Sequence, residues 1–281
     1  MIDKEKLIKF IKSSLNEDIG NGDHSSLAII NNKHKNKAKL IIKDDGIIAG
    51  IELAKNIFKI VDPSLIVKQL LKDGDNVVNG DIGFIVEGKA ISILSSERLV
   101  LNCLQHMSSI ATKTSHLNSL ISHTNAKLLA TRKTTPLNRD IEKWAVRIGG
   151  GINHRFGLYD AIMLKDNHID FGGGVMNTIK KTKKYLVNNN INLPIIVEAR
   201  DISEVREIIK IGGINRILLD NFTESETLEA VKLINNQFQI ESSGNINELN
   251  IVKYAEAGVD FISVGALTHT LKNFDMSLKS F

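Results

Sequence analysis

Three short strings concentrate the side chains that bind anions: Thr131-Arg132-Lys133-Thr134-Thr135-Pro136, Gly149-Gly150-Gly151-Ile152-Asn153-His154-Arg155 and Lys165-Asp166-Asn167-His168. Arg132, Arg155, Lys133, Lys165, His154 and His168 form one cationic set. Arginine offers a planar fork that matches carboxylate or phosphate, and lysine a compact point charge. Such a funnel suits a ligand with several anionic groups, since unpaired buried cations are costly. The competing reading is local pairing with acids such as Asp140, Glu142 and Asp166. Glu198 and Asp220 stand farther on, at positions able to accept hydrogen bonds from sugar hydroxyls or help hold Mg²⁺ alongside phosphate oxygens. Two glycine loops, Ser243-Gly244-Asn245-Ile246 and Gly265-Ala266-Leu267-Thr268, could turn backbone N–H groups toward a phosphate.

The elements that must position these residues fall into two parts. A helix over 4–15 carries Leu7, Ile8, Phe10 and Ile11 on one side, and a glycine-and-acid turn, 17–23, follows. Short β-rich pieces come next, at 38–43, 46–49, 66–70 and 83–94, before a helix from about Ser96. This predicts a small α+β N-terminal domain, residues 1–110. From 111 to 281 the pattern is strand, polar loop, helix, with strands expected at 126–130, 161–164, 194–197, 216–219, 238–240 and 260–264. Asp201-Ile202-Ser203-Glu204, Thr223-Glu224-Ser225-Glu226 and Asn245-Ile246-Asn247-Glu248 each read as a helix start. Regular alternation implies parallel strands, either in an open sheet or in a barrel. Nearly every strand ends in a polar or small residue, Glu241-Ser242-Ser243-Gly244 among them, and functional residues after many strands favour an incomplete α/β barrel of TIM type. The last dozen residues are expected to pack back on the N-terminal domain.

Bulk properties exclude several classes. The net charge of +4, with basic residues not interleaved with aromatics, speaks against nucleic acid as a partner. Cys103 is the single cysteine, so an intrachain disulfide and a cysteine-rich zinc site are excluded. No apolar run is long enough for a membrane span, and the charged start does not read as a secretory signal, so a cytoplasmic setting is expected.

The three strings, together with Glu97-Arg98-Leu99 through Asn102, Glu142-Lys143-Trp144-Ala145-Val146, Leu219-Asp220-Asn221-Phe222 and Ser263–Thr268, resemble quinolinate phosphoribosyltransferase, also called nicotinate-nucleotide pyrophosphorylase (carboxylating). The resemblance runs along almost the whole chain. It implies an enzyme of NAD biosynthesis that moves phosphoribosyl from phosphoribosyl pyrophosphate to quinolinate, giving nicotinate mononucleotide, pyrophosphate and CO₂. It also implies a homodimer in which Arg98 reaches the partner's site. By the same resemblance Thr131, Arg132, Lys133, His154, Arg155 and Lys165 bind the carboxylates and pyrophosphate. Glu198 and Asp220 lie at the ribose, Asp220 with Mg²⁺, and Ser243, Gly244, Asn245, Gly265 and Ala266 hold the 5′-phosphate. Lys133, Lys165, Glu198 and Asp220 are the implied catalytic set.

The chain departs from the family pattern at three places. Arg200 replaces a second acid, and because positions 198 and 200 share a strand face, a reversed charge is expected inside the ribose site. Leu137 replaces the glycine after Thr-Thr-Pro, and Asn245 the second glycine of the phosphate loop, where asparagine tolerates left-handed backbone. Two other readings stay open: a non-catalytic anion-binding relative, and a phosphoribosyltransferase for another acceptor, of the molybdenum-transport-associated type.

Overall fold

A computed structural model describes residues 3–281. Two compact units interleave along the chain. One comprises residues up to Ser115 with Thr135–Gly150 and Thr270–Phe281, the other His116–Thr134 with Gly151–His269. The chain thus passes between these units at four points.

The first unit contains α1 (Lys4–Ile19), α2 (His24–Ile29), β1 (Lys35–Ile42), β2 (Gly46–Ile47), α3 (Ile51–Val61), β3 (Ile66–Gln69), β4 (Asn76–Val77), β5 (Ile82–Lys89) and most of α4 (Ala90–Leu120). The second continues with β6 (Lys127–Ala130); α5 (Arg139–Ile148) returns to the first unit, and then come β7 (Ile152–Asn153), β8 (Ile162–Leu164), α6 (Asp166–Gly172) and α7 (Val175–Asn188). It proceeds through β9 (Ile195–Ala199), α8 (Ile202–Ile211), β10 (Arg216–Asp220), α9 (Glu224–Ile234), β11 (Gln239–Ser243), α10 (Ile251–Glu256), β12 (Phe261–Ser263) and α11 (Ala266–His269), and β13 (Met276–Ser280) closes the chain in the first unit.

In the first unit an antiparallel sheet runs β13-β1-β5-β3, with Leu40 opposite Leu278 and Val86 opposite Ala38. The C-terminal tail is therefore a strand of that sheet. Carboxylates start the helices: Asp3 accepts from the amides of Glu5 and Lys6, both at 3.0 Å. Asp73 accepts from those of Gly50 and Ile51, both at 2.7 Å, satisfying donors that a helix start leaves open. The strand expected to reach Leu94 stops at Lys89, where Gly88 has φ +151°, and α4 begins at Ala90. The run is rich in isoleucine, which reads as strand. From Ala90 to Val100 the buried positions, Ala90, Ile93, Ser96, Leu99 and Val100, follow helical spacing instead.

The second unit is a curled parallel sheet in the order β7-β6-β12-β11-β10-β9-β8. Its edges are β7 and β8, so the barrel is incomplete. Strand β9 is buried at every position, and Ala161, Ile196 and Leu218, with Met163 against them, form part of the interior. Helices α6 to α9 pack in succession on the outside. Asp201 caps α8 through the Glu204 amide at 2.9 Å, and Thr223 with Glu226 forms a reciprocal cap on α9, as the sequence leads one to expect. Asn245-Ile246-Asn247-Glu248 does not start a helix; α10 begins only at Ile251. Asparagine side chains intervene: Asn250 Oδ1 accepts from the Asn247 amide at 2.8 Å and Asn247 Oδ1 from the Leu249 amide at 2.9 Å, local bonds that compete with helix. Among the described residues no helix is long and apolar enough to cross a membrane.

Candidate active site

Because the strands of the second unit are parallel, their carboxyl ends lie along one edge, and residues at or just after all seven strands are placed along it. In sheet order these are His154 and Arg155 after β7, Thr131 to Lys133 after β6, Gly265 and Ala266 after β12, Ser243 to Asn245 at β11, Asp220 at β10, Glu198 on β9 and Lys165 after β8. Arg132, Lys133 and Lys165 are exposed and Arg155 is half-buried. Arg132, Lys133 and Lys165 form an open cationic rim, and the Arg155 side chain turns to the carbonyl of Ala161, just before β8.

Specific contacts tie neighbouring loops together. The Thr131 hydroxyl accepts from the Lys133 amide at 3.0 Å, and the Lys133 carbonyl accepts from the Thr268 hydroxyl at 2.7 Å. The Lys133 stem lies over Gly265, where an added Cβ would come within 2.9 Å of its Cδ. Arg155 donates to the Ala161 carbonyl at 3.1 Å. Burial and the Arg132 charge lower its proton affinity, and Asp160 opposes them. Two guanidinium groups are thus held within electrostatic reach of each other.

On the far side Glu198, almost completely buried, receives the Lys165 ammonium at 2.7 Å and faces the Asp166 amide at 3.4 Å. Asp166, a counter-ion only on the competing reading, is not the acid that pairs with Lys165. His168 turns its ring back, Nδ1 accepting from the Lys165 amide at 3.1 Å, and so caps α6.

At β10 the Asp220 carboxylate accepts from Asn221 Nδ2 at 2.7 Å, and Asn221 Oδ1 accepts from Asn245 Nδ2 at 3.2 Å. Gly244 has φ +94°, and a Cβ there would sit 2.2 Å from Asn221 Oδ1, so only glycine lets the two loops nest. Asn245 occupies the left-handed region at φ +51°. The replacement of glycine by asparagine is accommodated.

Arg200 does not reverse a charge in this cluster. Strand β9 ends at Ala199, and the exposed Arg200 side chain leaves the sheet. Its Nε donates to Glu204 at 2.9 Å and Nη1 to Asp170 at 3.1 Å, and both acids raise its proton affinity. The alternation argument fails because it needs the strand to continue one residue further.

Three residues of the second unit escape sequence reasoning. Glu241 is not a strand-end acid; it is the middle residue of β11 and has no exposed surface. Its carboxylate faces His154 Nε2 at 3.2 Å and accepts from Ser263 Oγ at 2.5 Å and Arg216 Nη1 at 2.9 Å. Burial pushes this carboxyl up, but the bonds from His154, Ser263 and Arg216 outweigh it and hold it below the usual carboxylate range. His154 Nδ1 accepts from the Arg155 amide at 2.6 Å. A cavity of about 250 Å³ is lined by His154, Arg155, Asp160, Arg216 and Gln239, among others.

In the first unit Arg98 lies exposed on α4. Glu142, fully buried, accepts from the Thr135 amide at 3.2 Å and bonds His106 at 3.0 Å. The Thr135 carbonyl accepts from the Asn138 amide at 3.1 Å, closing a turn with Pro136 and Leu137 at its centre. Leu137 has φ +63°.

Comparison with known proteins settles the family. Residues 23–108 match the N-terminal domain, and residues 110–279 the C-terminal domain, of quinolinate phosphoribosyl transferase. The chain belongs to the quinolinate phosphoribosyltransferase family. Relatives in this family include the mitochondrial quinolinate phosphoribosyltransferase [decarboxylating] 2b of Nicotiana tabacum, 44% identical over 97% of this chain and 82% of that protein. Another is the chloroplastic nicotinate-nucleotide pyrophosphorylase [carboxylating] of Arabidopsis thaliana, 43% identical over 96% of this chain and 81% of that one. Among quinolinate phosphoribosyltransferase-like structures, NadC from Streptococcus pyogenes superposes with a TM-score of 0.94 at 35% identity, covering 99% of this chain and 97% of that one. The nicotinate-nucleotide pyrophosphorylase from Francisella tularensis gives 0.91 at 34% identity, over 100% and 98%.

Proposed function

We propose that this chain transfers phosphoribosyl from phosphoribosyl pyrophosphate to quinolinate with loss of CO₂, forming nicotinate mononucleotide. The observation that carries the reading is the placing of several cations just after strands of one parallel sheet, Arg132 and Lys133 after β6, Arg155 after β7 and Lys165 after β8, with the Arg132 charge felt at Arg155. Like charges held close are destabilising until a multivalent anion joins them, and a pyridine dicarboxylate and a pyrophosphate ester are such anions.

The chemistry follows from what the side chains can do. Arg132, Arg155 and Lys165 take the two carboxylates and orient the ring nitrogen toward the anomeric carbon. The N–C1′ bond forms as the C1′–O bond to pyrophosphate breaks, and the departing oxygen carries the electron pair. Lys133 stabilises that negative charge as it develops. Glu198 and Asp220 flank the ribose, where they favour an oxocarbenium-like state. The alkylated nitrogen then accepts the electron density left when the adjacent carboxylate departs as CO₂, and the ring carbon is protonated. The loops at Ser243–Asn245 and Gly265–Ala266 grip the 5′-phosphate through backbone amides.

Mg²⁺ fits this donor set as a cation that arrives on the substrate. Among the described residues no three His, Cys, Asp or Glu side chains are grouped to hold a metal. Asp220 supplies one half-buried carboxylate, and Mg²⁺ usually combines one or two carboxylates with phosphate oxygens. When bound it neutralises charge on the leaving pyrophosphate. A homodimer with Arg98 given across the interface and a cytoplasmic setting belong to the same proposal.

The test is pyrophosphate release by purified protein with Mg²⁺ and phosphoribosyl pyrophosphate, comparing quinolinate with nicotinate. Release with quinolinate alone is expected. Quinolinate binding without release would favour an anion-binding relative, and turnover of another acceptor without quinolinate binding would favour the second enzyme reading.

A further inference from the structure

We infer that Glu241 is a positioning residue for quinolinate binding: through His154 it fixes the backbone that presents Arg155. The inference rests on the functional reading above.

Glu241 sits in β11, Arg216 in β10 and Ser263 in β12, so three adjacent strands converge on one buried carboxylate. The guanidinium of Arg216 also lies over the Phe261 ring, 3.8 Å from its centre, which fixes the plane of the fork. An acid buried to this degree is costly unless it is fully paired. Here a charged donor, a hydroxyl and an imidazole N–H satisfy it.

The bonds then determine which nitrogen of His154 carries the proton. Nδ1 accepts from the Arg155 amide, so it has a lone pair, and Nε2 must donate to the carboxylate, which can only accept. A move of the proton to Nδ1 would set two donors against each other at the Arg155 amide, and a flip of the ring would leave that amide facing a C–H with no lone pair to accept. His154 therefore acts as a rigid strut between Glu241 and the start of the loop after β7. That loop holds the Arg155 side chain, itself pinned to the Ala161 carbonyl at 3.1 Å. A displacement of even an ångström in a group that orients a substrate costs heavily in rate.

The readouts are ¹⁵N NMR of histidine-labelled protein and separate kinetics for the two substrates. Wild type should show His154 as the Nε2–H tautomer with Nδ1 an acceptor. Glu241→Ala should lose that signature and raise KM for quinolinate about tenfold, with KM for phosphoribosyl pyrophosphate within about threefold of wild type. Glu241→Gln can turn its oxygen to His154 and Arg216 and its amide to Ser263, so it should restore the tautomer and most of the quinolinate affinity. Should Glu241→Ala fail to fold, Glu241→Asp, which withdraws the carboxylate from His154, reads the same two signals. An unchanged tautomer, or equal rises in both KM values, would overturn the inference. Failure of wild type to turn over quinolinate would instead sink the functional reading, and the tautomer spectra would still stand.

Discussion

Replacing Leu137 by glycine should stabilise the protein, and the size of the gain can be worked from the turn it occupies. Thr135-Pro136-Leu137-Asn138 closes with the Asn138 amide on the Thr135 carbonyl at 3.1 Å. Proline at the second position and φ +63° at the third are the marks of a type II turn, whose third position favours glycine. A side chain held in the left-handed region costs about 1–2 kcal/mol. Leu137 is 98% exposed, so little apolar burial is lost when its side chain is removed. Glycine gives back about 0.5–1 kcal/mol through the greater freedom of the unfolded chain. The net gain is about 0.5–1 kcal/mol, or about 1–3 °C in Tm for a chain of this length. Differential scanning calorimetry of Leu137→Gly and Leu137→Ala decides the matter. Alanine keeps the left-handed penalty and should leave Tm nearly unchanged. A glycine variant no more stable than the alanine variant would refute the argument.

Arg200→Glu should lower Tm and give no rise in kcat/KM, because it would place a third acid against Asp170 and Glu204; a faster variant in steady-state assays would mean the arginine impairs the ribose site after all. Gly244→Ala should raise KM for phosphoribosyl pyrophosphate by about tenfold or more, since a Cβ at 2.2 Å from Asn221 Oδ1 forces the loops apart; unchanged kinetics would show the loop does not hold the phosphate. Asp62 should control part of the acid limb of stability. The hydroxyl and amide of Ser64, then Ser92 and Lys89, hold its carboxyl down at about 2. A depressed carboxyl contributes stability that is present above its unfolded value of 3.8 and is lost as pH falls toward 2. Asp62→Asn should be less stable at neutral pH, and chemical denaturation at several pH values should show a shallower loss across that window.

The candidate rim is legible in the sequence as a set of positions for a definite reason: parallel strands put every post-strand loop on the same edge, so strand ends in the sequence are neighbours along that edge. Strand positions followed from buried runs of Ile, Leu and Val, and two of the three helix starts from their capping pairs. What escaped depended on partners distant in sequence. Glu241 reads as a strand-end polar residue until its donors are seen 22, 25 and 87 residues away. Arg200 was misplaced because alternation says nothing of where a strand stops. The start of α4 was hidden by isoleucines that suit strand and helix core alike. In each instance a local rule was overruled by packing that the local pattern does not contain.

The central claim, that the cationic rim brings two anions into reaction, is tested most directly by quinolinate carrying ¹⁴C in the carboxylate next to the ring nitrogen. With Mg²⁺ and phosphoribosyl pyrophosphate the protein should release labelled CO₂ in equal amount to pyrophosphate, and Arg155→Ala should suppress both. Labelled quinolinate retained intact, or CO₂ released in the absence of phosphoribosyl pyrophosphate, would contradict it.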